Sequence, residues 1–477
     1  MSADPTVPRA YPLEPSASDM RDMAHAATEF LVDFIERLPN APASDLDGAL
    51  EAARRMREEP PEAGSPFNDL LQRVAEGAAK GFNTTGPGYL AYIPGGGLFA
   101  AALADFLACG VNRFVNLWNA APAFAEIEAT VIRWLAQQFG YPPEARGILT
   151  SGGSMANFSA IVTARRTRLA EDFLRGTVYV SAQTHASVAK SAVLAGFPAA
   201  NVRKVPCASG LEIDLEALTQ LIKEDRAAGF QPFFLVANAG TTNTGAVDAI
   251  ADCVEVARRE GLWLHVDGAY GGFFQLTDRG RALFRGIEDA DSIVLDPHKG
   301  MFLPYGTGCL LVRDGRLLRD AHRVGADYLQ DLAPEGEIPN FTDYSPELSR
   351  DFRGLRVWLP IKLHGLGAFR AALDEKLDLT QLLYEELRAT PGFELRWRPR
   401  LTVVAFRYLP ARGDPEDFNR RLLDRIIASK RVFLSSTLVD GRFTIRACVV
   451  SHRTHRDRIE EAAEIIKRSA KELEEGL

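Results

Sequence analysis

Short apolar runs alternate with helix-like stretches through the middle of the chain, beyond about residue 125. The runs are rich in Val, Ile, Leu and Phe, and most are separated by segments with the spacing of amphipathic helices. Strands that alternate with helices are typical of an α/β domain with a largely parallel sheet. The pattern predicts a large domain with a mainly parallel seven-stranded sheet, built from RGILTS, TVYVS, NVRKVP, FFLVAN, LWLHVD, SIVLD and GCLLVRD.

The C-terminal part of the chain has a different pattern. From about residue 366 helix-like spacing dominates, interrupted by LTVVAFRYL and RFTIRACVV. These two runs read as antiparallel strands, and with the surrounding helices they predict a small α+β domain. We therefore divide the chain into an N-terminal arm with helices (1–85), a large domain (86–365) and a small C-terminal domain (366–477).

The N-terminus is predicted to be an extended arm followed by a helix. Pro5, Pro8, Pro12 and Pro15 disfavour regular structure over the first fifteen or so residues. The next segment, SASDMRDMAHAATEFLVDFIERL, has apolar residues at steps of three and four, which is the spacing of an amphipathic helix. Ser16 or Ser18 could cap it. An arm and helix of this kind often pack on a second subunit.

The composition indicates which kinds of partner and which cellular compartment to expect. The 477 residues are 46% hydrophobic and 25% charged, as in soluble globular proteins, and the net charge of -8 argues against nucleic acid or an anionic membrane surface as the main partner. Five scattered cysteines without a C-x-x-C pair predict reduced thiols rather than disulfides or a zinc ribbon. We see neither a signal peptide nor an apolar run that could span a bilayer, so we expect a cytoplasmic protein.

Polar residues collect directly after the predicted strands. Ligands in open α/β sheets bind beyond the carboxyl ends of the strands, so these positions are candidate site residues. They are Ser151, Gly152, Gly153 and Ser154; Thr184 and His185; Gly240, Thr241 and Thr242; Asp267; and Asp296, His298 and Lys299.

Each of these groups has a role if the ligand is a phosphorylated, planar, cationic cofactor. Glycine N–H groups at a helix N-terminus and the Ser154 hydroxyl can reach a phosphate. Asp267 can hold a pyridinium nitrogen protonated, His185 can stack on the ring, and Lys299 can bind an aldehyde covalently. Pyridoxal 5′-phosphate needs all of these groups.

Each group also has an ordinary structural alternative. An acid at a strand end usually caps a turn, a single histidine is more often packed or solvated, and a lysine beside a glycine is normally solvated. Asp267 and Lys299, however, are 32 positions apart on what read as neighbouring strand ends, with the glycine turn and the histidine upstream. The combination favours the cofactor site.

Other motifs are weaker. His452 and His455 have a spacing suited to a metal but open a charged helix, so we predict no metal site. The chain has neither G-x-S-x-G nor H-E-x-x-H, which argues against serine hydrolases and zinc peptidases. The stretch GPGYLAYIPGGG does not match a nucleotide fingerprint, and no acid for a ribose follows SGGS. A nucleotide-binding oxidoreductase and a non-enzymatic scaffold are therefore remote alternatives.

The motifs TSGGSMAN, QTHAS, AGTTNTGAVD, HVDGAYGG and DPHKG, in this order, resemble the group II pyridoxal-phosphate decarboxylases. These include the aromatic L-amino-acid, histidine, glutamate and cysteine-sulfinate decarboxylases. The resemblance extends from about residue 80 to the C-terminus. It implies the PLP-dependent transferase fold type I, which is aspartate-aminotransferase-like, in a homodimer with active sites at the interface.

The resemblance also implies roles for individual residues. Lys299 would bind the cofactor covalently, Asp267 would pair with its ring nitrogen, and His185 would stack on the ring. The residues implied around the phosphate and the ring oxygen are Gly153, Ser154, Thr242 and His298.

The product depends on a proton donor. In the family a loop tyrosine returns a proton to the substrate Cα after CO2 leaves, and phenylalanine at that place gives an aldehyde by reaction with oxygen. The segment APEGEIPNFTDYSPELSRDF (333–352) has little apolar periodicity, which predicts a mobile loop. Tyr344 is the predicted donor, Tyr328 is the alternative, and a tyrosine that only packs the loop is a third possibility. We predict an amine and CO2, with an oxygen-dependent aldehyde synthase as the alternative.

Three places depart from the aromatic enzymes. Asp296 stands where they usually have an asparagine that can bind phosphate, Gly86 lies near a histidine position, and Tyr92-Ile93-Pro94-Gly95 replaces a Tyr-Phe-Pro-Thr run. The pocket therefore differs from theirs. Aromatic L-amino acids are the leading substrates, and Arg113 and Arg353 keep an acidic amino acid open.

Overall fold

The computed structural model describes residues 13–323 and 338–476. Most of the predicted proline-rich arm lies outside the described residues. The helices are α1 (Ala17–Arg37), α2 (Ala49–Arg55), α3 (Phe67–Ala78), α4 (Phe99–Val111), α5 (Pro122–Gln138), α6 (Gly153–Arg168), α7 (Ala186–Leu194), α8 (Leu215–Ala227), α9 (Ile250–Glu260), α10 (Asp278–Leu283), α11 (Pro297–Gly300), α12 (Gly315–His322), α13 (Gly354–Arg388), α14 (Pro415–Ala428) and α15 (Arg456–Glu475). The strands are β1 (Ser44–Asp45), β2 (Gly81–Phe82), β3 (Arg146–Thr150), β4 (Gly176–Ser181), β5 (Val202–Val205), β6 (Gln231–Asn238), β7 (Trp263–Gly268), β8 (Ser292–Leu295), β9 (Gly308–Val312), β10 (Phe393–Glu394), β11 (Val403–Tyr408), β12 (Ser435–Val439) and β13 (Arg442–Cys448).

All seven apolar runs form strands of one sheet, which confirms the predicted α/β domain. The strand order is β3-β9-β8-β7-β6-β4-β5. Strands β5, β4, β6, β7 and β8 pair in parallel, whereas β9 runs antiparallel to both of its neighbours, β8 and β3. Because β9 is the reversed strand, the carboxyl ends of the other six lie at the same edge of the sheet.

Burial on both faces of the sheet explains the continuous apolar runs in the sequence. Every residue of β4, β7, β8 and β9 is buried. Helices α6, α8 and α9 pack against the strands, and Trp263, Phe233 and Phe234 are among the largest fully buried side chains. A close-packed sheet of this kind holds the residues at its edge in fixed positions.

The C-terminal part contains a second, antiparallel sheet with the order β10-β11-β13-β12. Strands β11 and β13 correspond to the two predicted runs, and their antiparallel pairing confirms that prediction. Strand β12 went unpredicted because its sequence, SSTLV, is polar at its start and buries only its end residues. Helix α13 has non-helical φ and ψ values at Gly365, next to the predicted domain boundary.

Helix α1 begins as the sequence predicts. The Ser16 side chain accepts a hydrogen bond from the Asp19 N–H, and the Asp19 side chain accepts one from the Ser16 N–H, which together form a capping box. None of the residues of α1 is buried within one chain. Met20, Leu31 and Val32 expose 51%, 40% and 38% of their surface. Among the described residues, these apolar side chains of α1 are therefore left partly uncovered.

The predicted mobile loop divides into two parts. Residues 338–352 are described and include a short 3-10 turn at Phe341–Asp343, in which Phe341 and Thr342 are buried. The start of the loop, and Tyr328, lie outside the described residues. Within the described residues, every helix is too short or too polar to cross a membrane.

Candidate active site

A cavity of about 250 Å³ lies at the shared carboxyl edge of the sheet. Residues that follow β3, β4, β6, β7 and β8 line it, as the strand-end argument predicts. The structure brings seven of the eight predicted site residues to this cavity: Gly153, Ser154, His185, Thr242, Asp267, His298 and Lys299. Tyr344 is the eighth, and it lies elsewhere.

The turn between β3 and α6 is shaped to hold an anion. A Cβ atom on Gly153 would lie 3.0 Å from Asp296 Oδ2 and 3.2 Å from the Ala269 Cβ, so only glycine fits comfortably there. Gly153 opens helix α6, whose first N–H groups have no partner within the helix. With the Ser154 hydroxyl beside them, these donors and the helix dipole suit a phosphate.

Lys299 lies on the short helix α11 directly after β8. Its Nζ is 2.8 Å from Asp296 Oδ2, and Asp296 is only 2% exposed. The other oxygen, Asp296 Oδ1, is buried and has no hydrogen-bond partner in the described part of the chain. The acid, imidazole and ammonium of the DPHKG motif therefore belong to the cavity rather than to a surface turn.

The neighbouring His298 is held against the backbone. Its Nδ1 donates a hydrogen bond to the Thr307 carbonyl at 2.6 Å, and burial lowers the pKa of its imidazole. A Cβ atom on Gly95 would lie 2.0 Å from the His298 carbonyl oxygen. Gly95 therefore lets the glycine-rich segment at residues 86–97 pack directly against α11.

Asp267 lies near the end of β7 and is 7% exposed. Burial raises the pKa of its carboxyl group, while a hydrogen bond from the Ala269 N–H and the positive charge of Lys299 oppose that shift. A buried carboxylate is stabilised when a cation lies next to it. A protonated ring nitrogen fits this requirement.

His185 caps the N-terminus of α7 from the cavity side. Its Nδ1 accepts a hydrogen bond from the Ser187 N–H at 3.2 Å and lies 2.8 Å from the Ser187 hydroxyl. Two contacts on one nitrogen fix the ring on the side facing the protein. The ring can therefore present a defined face and edge to a ligand.

The small sheet supports the cavity from the other side. Arg446, on β13, donates to the Thr242 carbonyl at 2.7 Å and to the Tyr92 carbonyl at 2.9 Å. The Tyr270 hydroxyl lies 2.6 Å from the Thr402 Oγ. These contacts hold the Thr242 segment in place.

Sequence reasoning missed five further lining residues: Met155, Ser187, Asn238, Ala269 and Tyr270. Asn238 is the last residue of β6, so the strand-end rule could have found it. Its amide donates to the buried Asp248 at 2.7 Å and to the Thr184 hydroxyl at 3.1 Å. Asn238 thereby connects the end of β6 to the segment that carries His185.

Tyr344 lies apart from the other predicted site residues. Its side chain is 4% exposed and lines a different cavity, together with Glu126, Arg133 and Ile338. Apolar neighbours on the same segment bury it in the core of the large domain. Tyr344 therefore does not line the Lys299 cavity of its own chain, and its role as proton donor stays a prediction.

Neither arginine considered for an acidic substrate lines the cavity. Arg353 is 6% exposed, donates to the Leu149 carbonyl at 3.2 Å and pairs with Glu347 at 2.9 Å. Arg113 is exposed and lies after α4. Within one chain, neither supports recognition of a second carboxylate.

Comparison with known proteins gives consistent matches. Residues 51–409 match the model of the pyridoxal-dependent decarboxylase conserved domain. The chain is 36% identical over 468 residues to the aromatic-L-amino-acid decarboxylase of Bacillus atrophaeus, covering 97% of both chains. It is 28% identical to the phenylacetaldehyde synthase of Petunia hybrida, covering 95% of this chain and 94% of that one. The crystal structure of Oryza sativa TDC with PLP and tryptamine superposes with a TM-score of 0.92 at 27% identity, covering 97% of this chain and 99% of that one.

Proposed function

The chain belongs to the pyridoxal-dependent decarboxylases, and from this premise we propose that it converts an aromatic L-amino acid to the corresponding amine and CO2. Its cofactor is pyridoxal 5′-phosphate and its fold is type I. The observation that carries the proposal is the placement of Lys299, Asp267 and the Gly153 turn around one cavity. The aromatic side chain is supported by the name of the Bacillus relative.

The cavity residues suit this cofactor without rearrangement of the backbone. The Gly153 turn, Ser154 and Thr242 offer donors for the phosphate, and His298 lies beside them. Asp267 offers the buried negative charge for the ring nitrogen, and His185 offers a face for the ring. When bound, the cofactor withdraws electrons from the substrate Cα, which makes loss of the carboxylate possible.

Each residue has a separate task in that reaction. Lys299 would give up a proton so that its neutral amine could replace the aldehyde oxygen of the cofactor, which would leave as water. Asp267 stays ionised and holds the ring nitrogen protonated in a site from which water is largely excluded, where one charge has a large effect. The fixed ring of His185 orients the cofactor ring that would stack on it.

An amino-acid panel tests the proposed reaction. The holoenzyme should release CO2 and an amine in equal amounts, with kcat/KM for L-tryptophan, L-tyrosine or L-phenylalanine at least about tenfold above that for L-glutamate. A tenfold preference corresponds to about 1.4 kcal/mol of differential transition-state binding. Preference for an acidic amino acid would refute the aromatic side chain.

An aldehyde product is the second candidate. Tyr344 does not line the Lys299 cavity of its own chain, and the Petunia relative is named as an aldehyde synthase. The same panel decides the matter if aldehyde, peroxide and oxygen uptake are read together with amine. Amine without oxygen uptake supports the proposal, whereas aldehyde with peroxide supports the alternative.

We also propose that the enzyme is a homodimer. Helix α4 exposes a contiguous set of apolar side chains, Leu103, Phe106, Leu107 and Val111, in addition to the uncovered face of α1. Exposed apolar patches of this kind usually mark interfaces. All five cysteines are unpaired, which supports a reducing, cytoplasmic location.

We expect Phe106→Asp to shift the dimer toward monomer, because Phe106 exposes 63% of its surface on α4 and an acid there would be buried at the interface. Light scattering after gel filtration should give about twice the 52.3 kDa chain mass for the wild type and a lower mass for the variant. Leu174→Asp changes another exposed leucine and should leave the mass unchanged. A wild-type mass of one chain would refute the homodimer.

Asp296→Asn should tighten cofactor binding about tenfold. The Asp296 carboxylate lies 2.8 Å from Lys299 Nζ and borders the Gly153 turn, where it would repel a phosphate. Removing this negative charge should make the free energy of cofactor binding more favourable by on the order of 1.4 kcal/mol. Titration with pyridoxal phosphate, followed by absorbance, measures the dissociation constant.

Asp225→Asn is a suitable control for this change. Asp225 is also buried and paired, with Arg203 at 2.7 Å, but it does not line the cavity. Its replacement should lower stability without changing the cofactor dissociation constant. Weaker cofactor binding in Asp296→Asn would show that the carboxylate assists the phosphate instead.

A further inference from the structure

A chain of hydrogen bonds runs from the core of the sheet to His185. It begins at Trp263, whose Nε1–H donates to the Ser292 Oγ at 2.8 Å. The Ser292 Oγ also lies 2.8 Å from His265 Nδ1. Because the serine oxygen accepts from the indole, its own hydroxyl hydrogen is available for the imidazole. His265 Nδ1 is then an acceptor.

The next step passes through His265 and Asn157. Burial lowers the pKa of His265 to about 3, so the imidazole is neutral and carries one proton. Since Nδ1 accepts, that proton is on Nε2, which lies 2.9 Å from Asn157 Oδ1. Asn157 is 1% exposed. The Asn157 amide oxygen therefore accepts this hydrogen bond, and the Asn157 NH2 group is left to donate to the next residue in the chain.

The last step reaches the cavity. Asn157 Nδ2 donates to the Ser187 Oγ at 3.1 Å, which leaves the Ser187 hydroxyl hydrogen for His185 Nδ1 at 2.8 Å. The Ser187 backbone N–H donates to the same nitrogen at 3.2 Å. Both Ser187 groups donate in this arrangement, and the hydroxyl contact is the shorter, so the direction that Asn157 gives to the hydroxyl has the larger influence on Nδ1. His185 Nδ1 is thus held as an acceptor.

We propose that Asn157 and His265 are positioning residues, which keep the proton of His185 on Nε2 so that this edge of the ring donates a hydrogen bond to an anionic oxygen of the bound ligand. His185 lines the cavity, and its Nδ1 edge is occupied by Ser187. The identity of the ligand rests on the proposed function. Two oxygens share the required chemistry: the carboxylate of the amino acid and the ring oxygen of the cofactor.

Asn157→Asp reverses the direction of the chain with almost no change of shape. A carboxylate at this place would accept from both His265 Nε2–H and the Ser187 hydroxyl. The Ser187 oxygen would then offer a lone pair to His185 Nδ1. A proton on Nδ1 becomes favourable, and the Nε2 edge loses its fixed role as donor.

Nitrogen-15 NMR of holoenzyme labelled at its eight histidines tests the protonation pattern directly. The His185 signals are assigned by their loss in His185→Gln. The wild type should show an unprotonated Nδ1 and a protonated Nε2, and Asn157→Asp should show a protonated Nδ1. The measurement needs no turnover, so it stands even if the proposed reaction is wrong.

Thr163→Val provides the matched control. Thr163 lies on the same helix as Asn157 and is fully buried, but its hydroxyl donates only to the Ser159 carbonyl. Its loss should leave the His185 signals unchanged. A wild-type Nδ1 that carries a proton, or an Asn157→Asp spectrum identical to the wild type, would overturn the proposal.

Binding measurements on Asn157→Asp identify the oxygen. If Nε2–H donates to the substrate carboxylate, KM for the amino acid should rise about tenfold. The inhibition constant of the amine product, which has no carboxylate, should then change less than about twofold. If it serves the ring oxygen, the dissociation constant of pyridoxal phosphate should rise about tenfold instead. No change in any of these constants would refute the donor role of the Nε2 edge.

Discussion

Lys299→Ala should lose covalent attachment of the cofactor and decarboxylate more slowly than the wild type by on the order of a thousandfold or more, the scale seen when a positioned proton-transfer or bond-forming group is removed. Lys299 is the amine that lines the cavity within reach of the Gly153 turn and Asp267. Its Nζ lies 2.8 Å from Asp296, so the wild-type ammonium has a carboxylate at hand when it must lose its proton. CO2 release from an aromatic amino acid measures the effect.

Two further variants separate the chemistry from loss of charge. Lys299→Arg keeps a cation beside the buried Asp296 but cannot form the covalent bond, so it should be as inactive as the alanine variant while melting near the wild-type temperature. Lys190→Ala removes an exposed lysine of α7 and should have wild-type activity. Turnover at the normal rate in Lys299→Ala would remove this residue from the mechanism.

Asp267→Asn has the second-largest expected effect, a loss of about 3 kcal/mol of transition-state stabilisation, or roughly a hundredfold in kcat/KM. An amide in this place cannot hold a ring nitrogen protonated, although it fills the same space. In steady-state kinetics kcat/KM should fall, and the cofactor dissociation constant should rise. A rate near that of the wild type would show that the acid has been misassigned.

The same substitution should have the opposite effect on the cofactor-free protein. Burial raises the pKa of Asp267, so the folded chain keeps this proton to higher pH than the unfolded chain. The free energy of unfolding therefore falls as the pH rises from the ordinary aspartate pKa to the raised pKa. Above the raised pKa, the full cost of the buried negative charge is present. Since asparagine does not titrate, cofactor-free Asp267→Asn should melt at or above the wild-type temperature at neutral pH.

The sheet was predictable from the sequence because both of its faces are buried. Runs such as SIVL and GCLLV are apolar throughout, and each became a strand. The reversed direction of β9 was not predictable, because the sequence of a five-residue apolar run does not indicate whether it pairs parallel or antiparallel to its neighbours. Strand β12 was missed since its first three residues are polar and only its two end residues are buried.

The site residues were predictable where a strand end fixed them in space. Asp267 and Lys299 are distant in sequence, and only the parallel pairing of β7 with β8 brings them together. Ser187 and Asn157 could not be predicted, because their contacts join α6 and α7 through side chains. The burial of Tyr344 was not predictable, because its segment lacks periodicity and single apolar residues such as Phe341 bury it.

Reduction of the wild-type holoenzyme with borohydride, followed by peptide mass mapping, tests the central claim most directly. Borohydride makes the bond between the cofactor and its lysine permanent, so the modified residue can be read from the peptide masses. The account predicts loss of the yellow colour and one pyridoxyl group per chain, located on Lys299. A pyridoxyl group on another lysine, or none on any peptide of active enzyme, would contradict it.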